Sequence, residues 1–283
     1  MKTKKLQPVS FVVLFLLALL VWSPLWMLLT GAITPKSELR EHLAGVLGVS
    51  GELANWSFLP NRITFRHIVE LLLDTPALFR VFWNSCIQVF PAVIGQILVG
   101  APAAWALSQF RFPGRNFLFR LYIVLMILPF QVTMVSSYIV LNKINLIDTP
   151  YAILLPAIFS AFPVFIMTKF FAGIPREMLE AARMDGASEW SVFWRIGLPL
   201  GLPGVLSSAL LGFVEGWNAV EQPITFLKTA SYYPLSVFLP ATTLDNAGVT
   251  FVSSVITLLP TVLIFLVGQQ YLEQGIIASG IKE

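Results

Sequence analysis

The sequence predicts an all-α polytopic membrane protein, and two observations carry that prediction. Of 283 residues, 57% are hydrophobic and only 12% are charged, whereas a soluble domain carries about 25% charged residues. The charges are also spaced so that six uncharged stretches separate them, residues 6–35, 81–110, 121–142, 149–168, 196–214 and 246–272. Each stretch reaches or approaches the ~20 apolar residues needed to cross the hydrocarbon layer as a helix. Helix is the form that satisfies backbone polar groups within a single lipid-exposed segment.

The first span, over about 9–33, follows Lys2, Lys4 and Lys5, which resemble the positive start of a signal peptide. Its apolar run is longer than the ~7–15 residues of a signal h-region, and no small-residue cleavage site follows, so an uncleaved helix is expected. A long polar loop, 34–80, leads to a second span over about 82–108. A short basic connection then leads to a third over 119–141, and the fourth covers 150–170. After a charged segment at 172–197 come the fifth span, 198–219, and the sixth, 249–271. The stretch "TASYYPLSVFLPATTL" at 229–244 is also uncharged. It is too short, too rich in hydroxyls and too rich in proline for a span, and reads as an external or re-entrant segment. Prolines recur inside the spans (Pro24, Pro91, Pro102, Pro129, Pro156, Pro163, Pro203, Pro260). Each removes a backbone donor and favours a kink, as a pathway that opens and closes would need, although proline is in any case frequent in membrane helices.

Orientation follows from lysine and arginine. With both termini in the cytoplasm, the inner set is Lys2, Lys4, Lys5, Arg111, Arg115, Arg120, Lys169, Arg176, Arg183, Arg195 and Lys282. The outer set is the smaller one: Lys36, Arg40, Arg62, Arg66, Arg80, Lys143 and Lys228. The bias favours cytoplasmic termini, with 34–80 outside and 172–197 inside.

That inner segment, 172–197, is the largest on its side. Pro175 suits a first helical turn, and Glu177 and Glu180 sit where acids favour the helix dipole. Gly186 interrupts the helix formers. Ser188 is placed to cap a second helix, "EWSVFWRI", which Gly197 and Pro199 should end. Two short helices with a turn at Gly186 are therefore expected. Met178, Leu179, Met184, Trp190, Phe193 and Trp194 give the loop a large apolar surface, beside the small residues Ala181, Ala182 and Ala187. An amphipathic hairpin resting at the lipid interface and a docking element for a soluble partner both fit.

The pattern Glu180-Ala181-Ala182, then Gly186, then Ile196, Leu198 and Pro199 resembles the EAA loop of ABC-importer permeases, and it lies between the fourth and fifth of six spans. Asn84-Ser85, "AAWALSQFRFPGR" (103–115), "IPREMLEAARMDGAS" (174–188), Trp217-Asn218 and "QQYLEQGIIASGIKE" (269–283) are similar to segments of MalG-like permeases of binding-protein-dependent sugar importers. After Trp217-Asn218 the chain departs from the family's usual Glu-Phe, with Ala219-Val220-Glu221-Gln222-Pro223 instead. The resemblance implies the type I (MetI-like) importer architecture in a bacterial inner membrane. It also implies a cytoplasmic ABC ATPase dimer that binds the ATP, a second non-identical permease and an extracellular solute-binding protein. The coupling residues it implies are Glu180, Ala181, Ala182, Asp185, Gly186 and Ala187.

Other classes fare worse. A net charge of +3 does not point to nucleic acid. One cysteine, Cys86, and two histidines, His42 and His67, exclude a disulfide framework and make no metal motif. No G-x-x-x-x-G-K-[ST] occurs, so nucleotide binding through a P-loop is excluded and no cofactor is expected of this chain. An intramembrane enzyme would need paired acids, histidines or a metal motif within the spans. A scaffold would not need so many kinks or an interrupted charged helix. For the solute, a carbohydrate is favoured and a polyamine is the alternative. Gln88, Gln96, Gln131, Ser136, Ser137, Trp217 and Asn218 are polar or aromatic residues available to a pathway, although most such groups join helix to helix. Glu215, just past the fifth apolar stretch, either marks the outer end of that span or faces a cavity. Gln88, Gln131, Glu215, Trp217 and Asn218 are the pathway candidates.

Overall fold

The computed structural model describes residues 8–45, 57–74, 76–238 and 243–280. Lys2, Lys4, Lys5 and Lys282, part of 229–244 and the end of the C-terminal motif lie outside the described residues. Among those described the protein is helical, with no strand. The chain divides into two compact units, residues 1–78 with 239–259, and residues 79–238 with 260–283.

In the first unit, α1 (Pro8–Ile33) is apolar on every side and exposed over 10–24, as a helix that meets lipid or another chain must be, while its end at 30–32 is buried. Helices α2 (Lys36–Leu43) and α3 (Arg66–Leu73) follow within the 34–80 loop. The Thr34 hydroxyl donates to the Thr30 carbonyl at 2.7 Å. Buried His67 of α3 places Nε2 3.1 Å from the Thr34 carbonyl, and its ring lies against the bare Cα of Gly248. Lys36 and Arg40 of α2 pair with Asp245.

The second unit holds most of α4 (Pro76–Gln109), then α5 (Arg115–Ile127), α6 (Phe130–Lys143), α7 (Tyr151–Ile158) and α8 (Ala161–Ala172). Next come α9 (Arg176–Met184), α10 (Glu189–Val192), a wide turn at Phe193–Gly197, α11 (Leu198–Leu200), α12 (Leu202–Trp217) and α13 (Glu221–Phe226). Helix α14 (Ala247–Gly280) ends the described chain. Along α11 and α12, the bare Cα atoms of Gly197, Gly201 and Gly204 receive the rings of Trp105, Phe171 and Phe170. Small residues of this kind let helices approach closely where lipid gives no hydrophobic drive for association.

Four helical stretches are long and apolar enough to cross a membrane: Ser10–Ile33, Pro76–Gln109, Tyr151–Ala172 and Ala247–Tyr271. Two bent pairs bring the number to six if each is one span, Arg115–Ile127 with Phe130–Lys143 (104°) and Glu189–Leu200 with Leu202–Trp217 (71°). The third span expected over 119–141 falls within the first of these pairs, and its break lies at Pro129, one of the prolines expected to favour a kink. Leu128, preceding Pro129, is extended at ψ 122, because the proline ring disfavours helical geometry in the residue before it. The fifth span, expected over 198–219, overlaps the second bent pair, whose last helix ends at Trp217. Gly197 and Pro199 do not end the second loop helix, since the chain stays helical through Leu200 and bends at Gly201 before α12. Pro91 and Pro102, by contrast, sit inside an uninterrupted α4.

Candidate translocation cavity and coupling loop

Where helices break, their last carbonyls and first amides lose intrahelical partners. Three breaks in the second unit meet around one cavity of about 380 Å³: α5/α6 at Leu128–Pro129, α7/α8 at Phe159–Ser160, and α12/α13 after Trp217. Its walls include Leu128, Phe130 and Thr133, then Ala157, Phe159 and Ser160, then Gly212, Glu215, Gly216, Ala219 and Gln222, with Gln88, Val89 and Gln96 from α4. The volume lies in the range of small-molecule sites, and irregular backbone at membrane depth belongs where it lines such a cavity.

The two α4 glutamines satisfy backbone exposed by the irregular segments. Gln96 Nε2 donates to the Ala157 carbonyl at the end of α7, at 3.0 Å, and Gln88 Nε2 donates to the Tyr232 carbonyl at 2.8 Å. The other end of the Gln96 amide, Oε1, is buried without a hydrogen bond against the bare Cα of Gly212. Glu215 is exposed on the cavity wall. It is the only ionisable residue among those lining the cavity, and no ion pair is formed by it among the described residues.

Of the five pathway candidates, the cavity gathers Gln88 and Glu215. The other three stand elsewhere. Gln131 Nε2 donates to both carboxylate oxygens of Glu221, at 2.6 and 2.8 Å. Trp217 is a core side chain, 2% exposed, stacked on Phe213 at 5.3 Å and edge-on to Phe82 at 5.9 Å. Asn218 closes the end of α12, its Nδ2 donating to the Val214 carbonyl at 2.8 Å. In this structure Trp217 packs in the core and Asn218 caps α12. Thr133, Ser160 and Gln222 were missed. Pro129, which breaks the helix just before Thr133, was the available signal for the first.

The 172–197 segment forms the expected hairpin. Helix α9 starts after Pro175, Gly186 turns the chain at φ +82, and the Ser188 hydroxyl accepts from the Ser191 amide at 3.3 Å to cap α10. A positive φ is costly for any residue with a Cβ. Nothing in the chain approaches within 4 Å of the Cβ that Gly186 lacks, so the turn, and no contact within the chain, requires glycine there. The inner face is fixed. Leu179, Val192 and Phe193 are buried with Trp105, Met167 and Phe171, and the Trp105 and Phe171 rings meet edge-to-face at 5.5 Å. The outer face leaves Glu180, Ala181, Asp185 and Gly186 exposed, while half-buried Ala182 and Ala187 pack against the inner cluster. Beside Glu180 lies a cleft of about 280 Å³ lined by Arg111, Arg115, Arg176 and Arg183. Glu180 therefore has cationic neighbours in its own chain. Arg183 is also bonded to Glu189 at 2.7 and 3.1 Å, which raises its pKa, with burial opposing and Glu180 adding to the rise.

The stretch after α13 is held at two places. The Asp148 carboxylate accepts from the Lys228 and Thr229 amides, each at 2.8 Å, and from the Thr229 hydroxyl at 2.6 Å. These bonds, the Thr229 hydroxyl first, hold its pKa below the ordinary aspartate value. On α4, Asn84 donates to the Ser231 and Tyr233 carbonyls at 2.7 and 3.0 Å, and the Ser85 hydroxyl accepts from the Leu235 amide at 2.7 Å.

Broken apolar helices around a polar cavity, joined to a fixed hairpin with an exposed small-residue face, define a membrane-embedded transport subunit. The chain belongs to the family described as the binding-protein-dependent transport system inner membrane component, which matches residues 96–278. It is therefore a multi-pass inner-membrane protein of a transporter family. It is 28% identical over 263 residues to the arabinooligosaccharides transport system permease protein AraQ of Halalkalibacterium halodurans, covering 92% of this chain and 90% of that one. It is 31% identical over 201 residues to the sn-glycerol-3-phosphate transport system permease protein UgpE of Yersinia pestis, covering 69% and 72%. The same fold occurs in a bacterial ABC transporter involved in import of the acidic polysaccharide alginate. That match has a TM-score of 0.78 at 22% identity and covers 93% of this chain and 95% of that one.

Proposed function

We propose that this chain is one of two non-identical permease subunits of an ATP-driven carbohydrate importer. An extracellular solute-binding protein loads it, and a cytoplasmic ABC ATPase dimer drives it through the Glu180–Ala187 loop. Both chain termini lie in the cytoplasm in this reading. The observation that carries it is the hairpin. One face is packed into the helix bundle through Leu179, Val192 and Phe193, while Glu180, Ala181, Asp185 and Gly186 remain exposed for a partner. A hairpin held this way passes a push on its outer face to α4 and α8 with little slack, because packed cores deform little. The cavity is this subunit's share of the pathway, and ATP stays on the partner. The names of the relatives favour sugar-type solutes over a polyamine. Those relatives carry neutral and anionic solutes alike, so the family leaves the charge of the solute open.

The test is reconstitution. Purified alone, the chain should hydrolyse no ATP. With the ATPase and second permease, hydrolysis should rise several-fold when the liganded binding protein is added. In the same complex Gly186→Leu should weaken ATPase retention about tenfold, since strain at φ +82 costs roughly 1–2 kcal/mol and a bulky side chain projects from the docking face. Normal retention and stimulation in that variant would remove the hairpin from the coupling path.

A further inference from the structure

We propose that Glu215 makes the cavity a charge filter, which admits neutral and cationic groups and turns anions away. This rests on the cavity being part of the solute pathway. The geometry supplies the rest. Among the residues lining the cavity Glu215 is the sole ionisable one, and no ion pair among the described residues neutralises it. The nearby polar groups do not offset it. Gln88 and Gln96 each spend an amide N–H on the Tyr232 and Ala157 carbonyls, and the Thr133 hydroxyl donates to the Phe130 carbonyl. No lysine, arginine or histidine is among the lining residues, so the carboxylate alone sets the sign of the cavity's side-chain charge. A phosphate or uronate entering the cavity would meet a like charge at close range, partly screened from bulk water by the cavity walls, where charges interact more strongly than in bulk water. Two other acidic groups, Glu221 and Asp148, do not line the cavity. Glu221 is occupied by Gln131, and Asp148 by Lys228 and Thr229.

The filter can be read without knowing the solute. A cysteine is placed on the cavity wall as Ala219→Cys in the assembled importer, with Cys86→Ser removing the native thiol. It is then labelled with a cationic (trimethylammonioethyl) or an anionic (sulfonatoethyl) methanethiosulfonate. The ratio of the two rates cancels any effect of Glu215 on the thiol itself. Relative to an exposed reference cysteine, the ratio should favour the cation by a further tenfold or more. Glu215→Gln should remove that excess, and Glu221→Gln should leave it in place. A ratio equal to the reference, a ratio insensitive to Glu215→Gln, or no labelling by either reagent would each overturn the filter. Binding-protein-stimulated ATP hydrolysis in the parent importer reports on the permease reading separately. If hydrolysis persists without a charge-selective ratio, only the filter fails.

Discussion

The coupling end of the second unit and its cavity are built from the same helices, α4, α8 or its entry, and α11 or α12, yet they solve opposite problems. At the coupling end, aromatic rings fill the space left by bare glycines: Trp105 on Gly197, Phe171 on Gly201, Phe170 on Gly204. At the cavity, glycines of the same helix, Gly212 and Gly216, face a glutamine and a valine, and the space between the helix breaks stays open. Along α12 the glycines thus change role, from admitting partner rings to bordering a void. One end is built to resist deformation and the other to accept a guest.

The contrast makes three further predictions. The largest effect should come from Phe171, fully buried between Trp105 and Phe193. Phe171→Ala should destabilise the protein by about 3–5 kcal/mol, the usual cost of emptying such a site, read as a fall in thermal unfolding temperature of the purified complex. A fall no larger than that of an exposed control such as Phe117→Ala would mean the aromatic cluster is not the rigid end.

A middle-sized effect is expected at Gly212. A Cβ there would collide with Gln96 Oε1. That atom ends a flexible side chain, so the amide can rotate away at the expense of its bond to Ala157. Gly212→Ala should cost about 1–2 kcal/mol and reduce uptake more than assembly. Gln96→Leu in the same background should recover part of the stability, because it removes the buried oxygen. Additive losses in the double variant would show that the two residues act independently.

The smallest effect concerns Asp148, whose pKa is held low by its bonds to Lys228 and Thr229. A carboxyl lowered in the folded state stabilises fully above its unfolded pKa, near 3.9, and that contribution disappears as pH falls through the lower folded value. Hydrogen exchange at the Lys228 and Thr229 amides should therefore be insensitive to the state of this carboxyl above about pH 5, once intrinsic rates are corrected, and lose protection well below pH 4. Protection that fails already near pH 6 would exclude the clasp as the cause.

Much of this architecture was legible in the charge spacing, because each span must exclude charge over the thickness of the bilayer. The hairpin was legible too. Gly186 at positive φ and Ser188 as a cap follow from local backbone chemistry that sequence reports directly. The cavity was harder to read. Pro129 breaks its helix by bending the chain 104°, whereas Pro91 and Pro102 leave α4 continuous, and nothing local separates them. Trp217 and Asn218 looked like pathway residues because a polar-aromatic pair at a span end is ambiguous. The ring of Phe213 stacked on Trp217 and the bond from Asn218 to Val214 are contacts between turns of α12 that a sequence does not display. Ser160 and Gln222 join the site through chain breaks that bring distant segments together.

The stretch from Lys228 to Leu235 behaves as a bivalent ligand of its own protein. Asp148 grips one end, and Asn84 and Ser85 grip the other. When one grip opens, the other keeps the released end at a high effective concentration, so it rebinds before the stretch can leave. Loss of either grip alone should therefore loosen only the end it held, and loss of both should release the whole stretch together. A molecule arriving at this stretch would need to compete with both grips at once to draw it away.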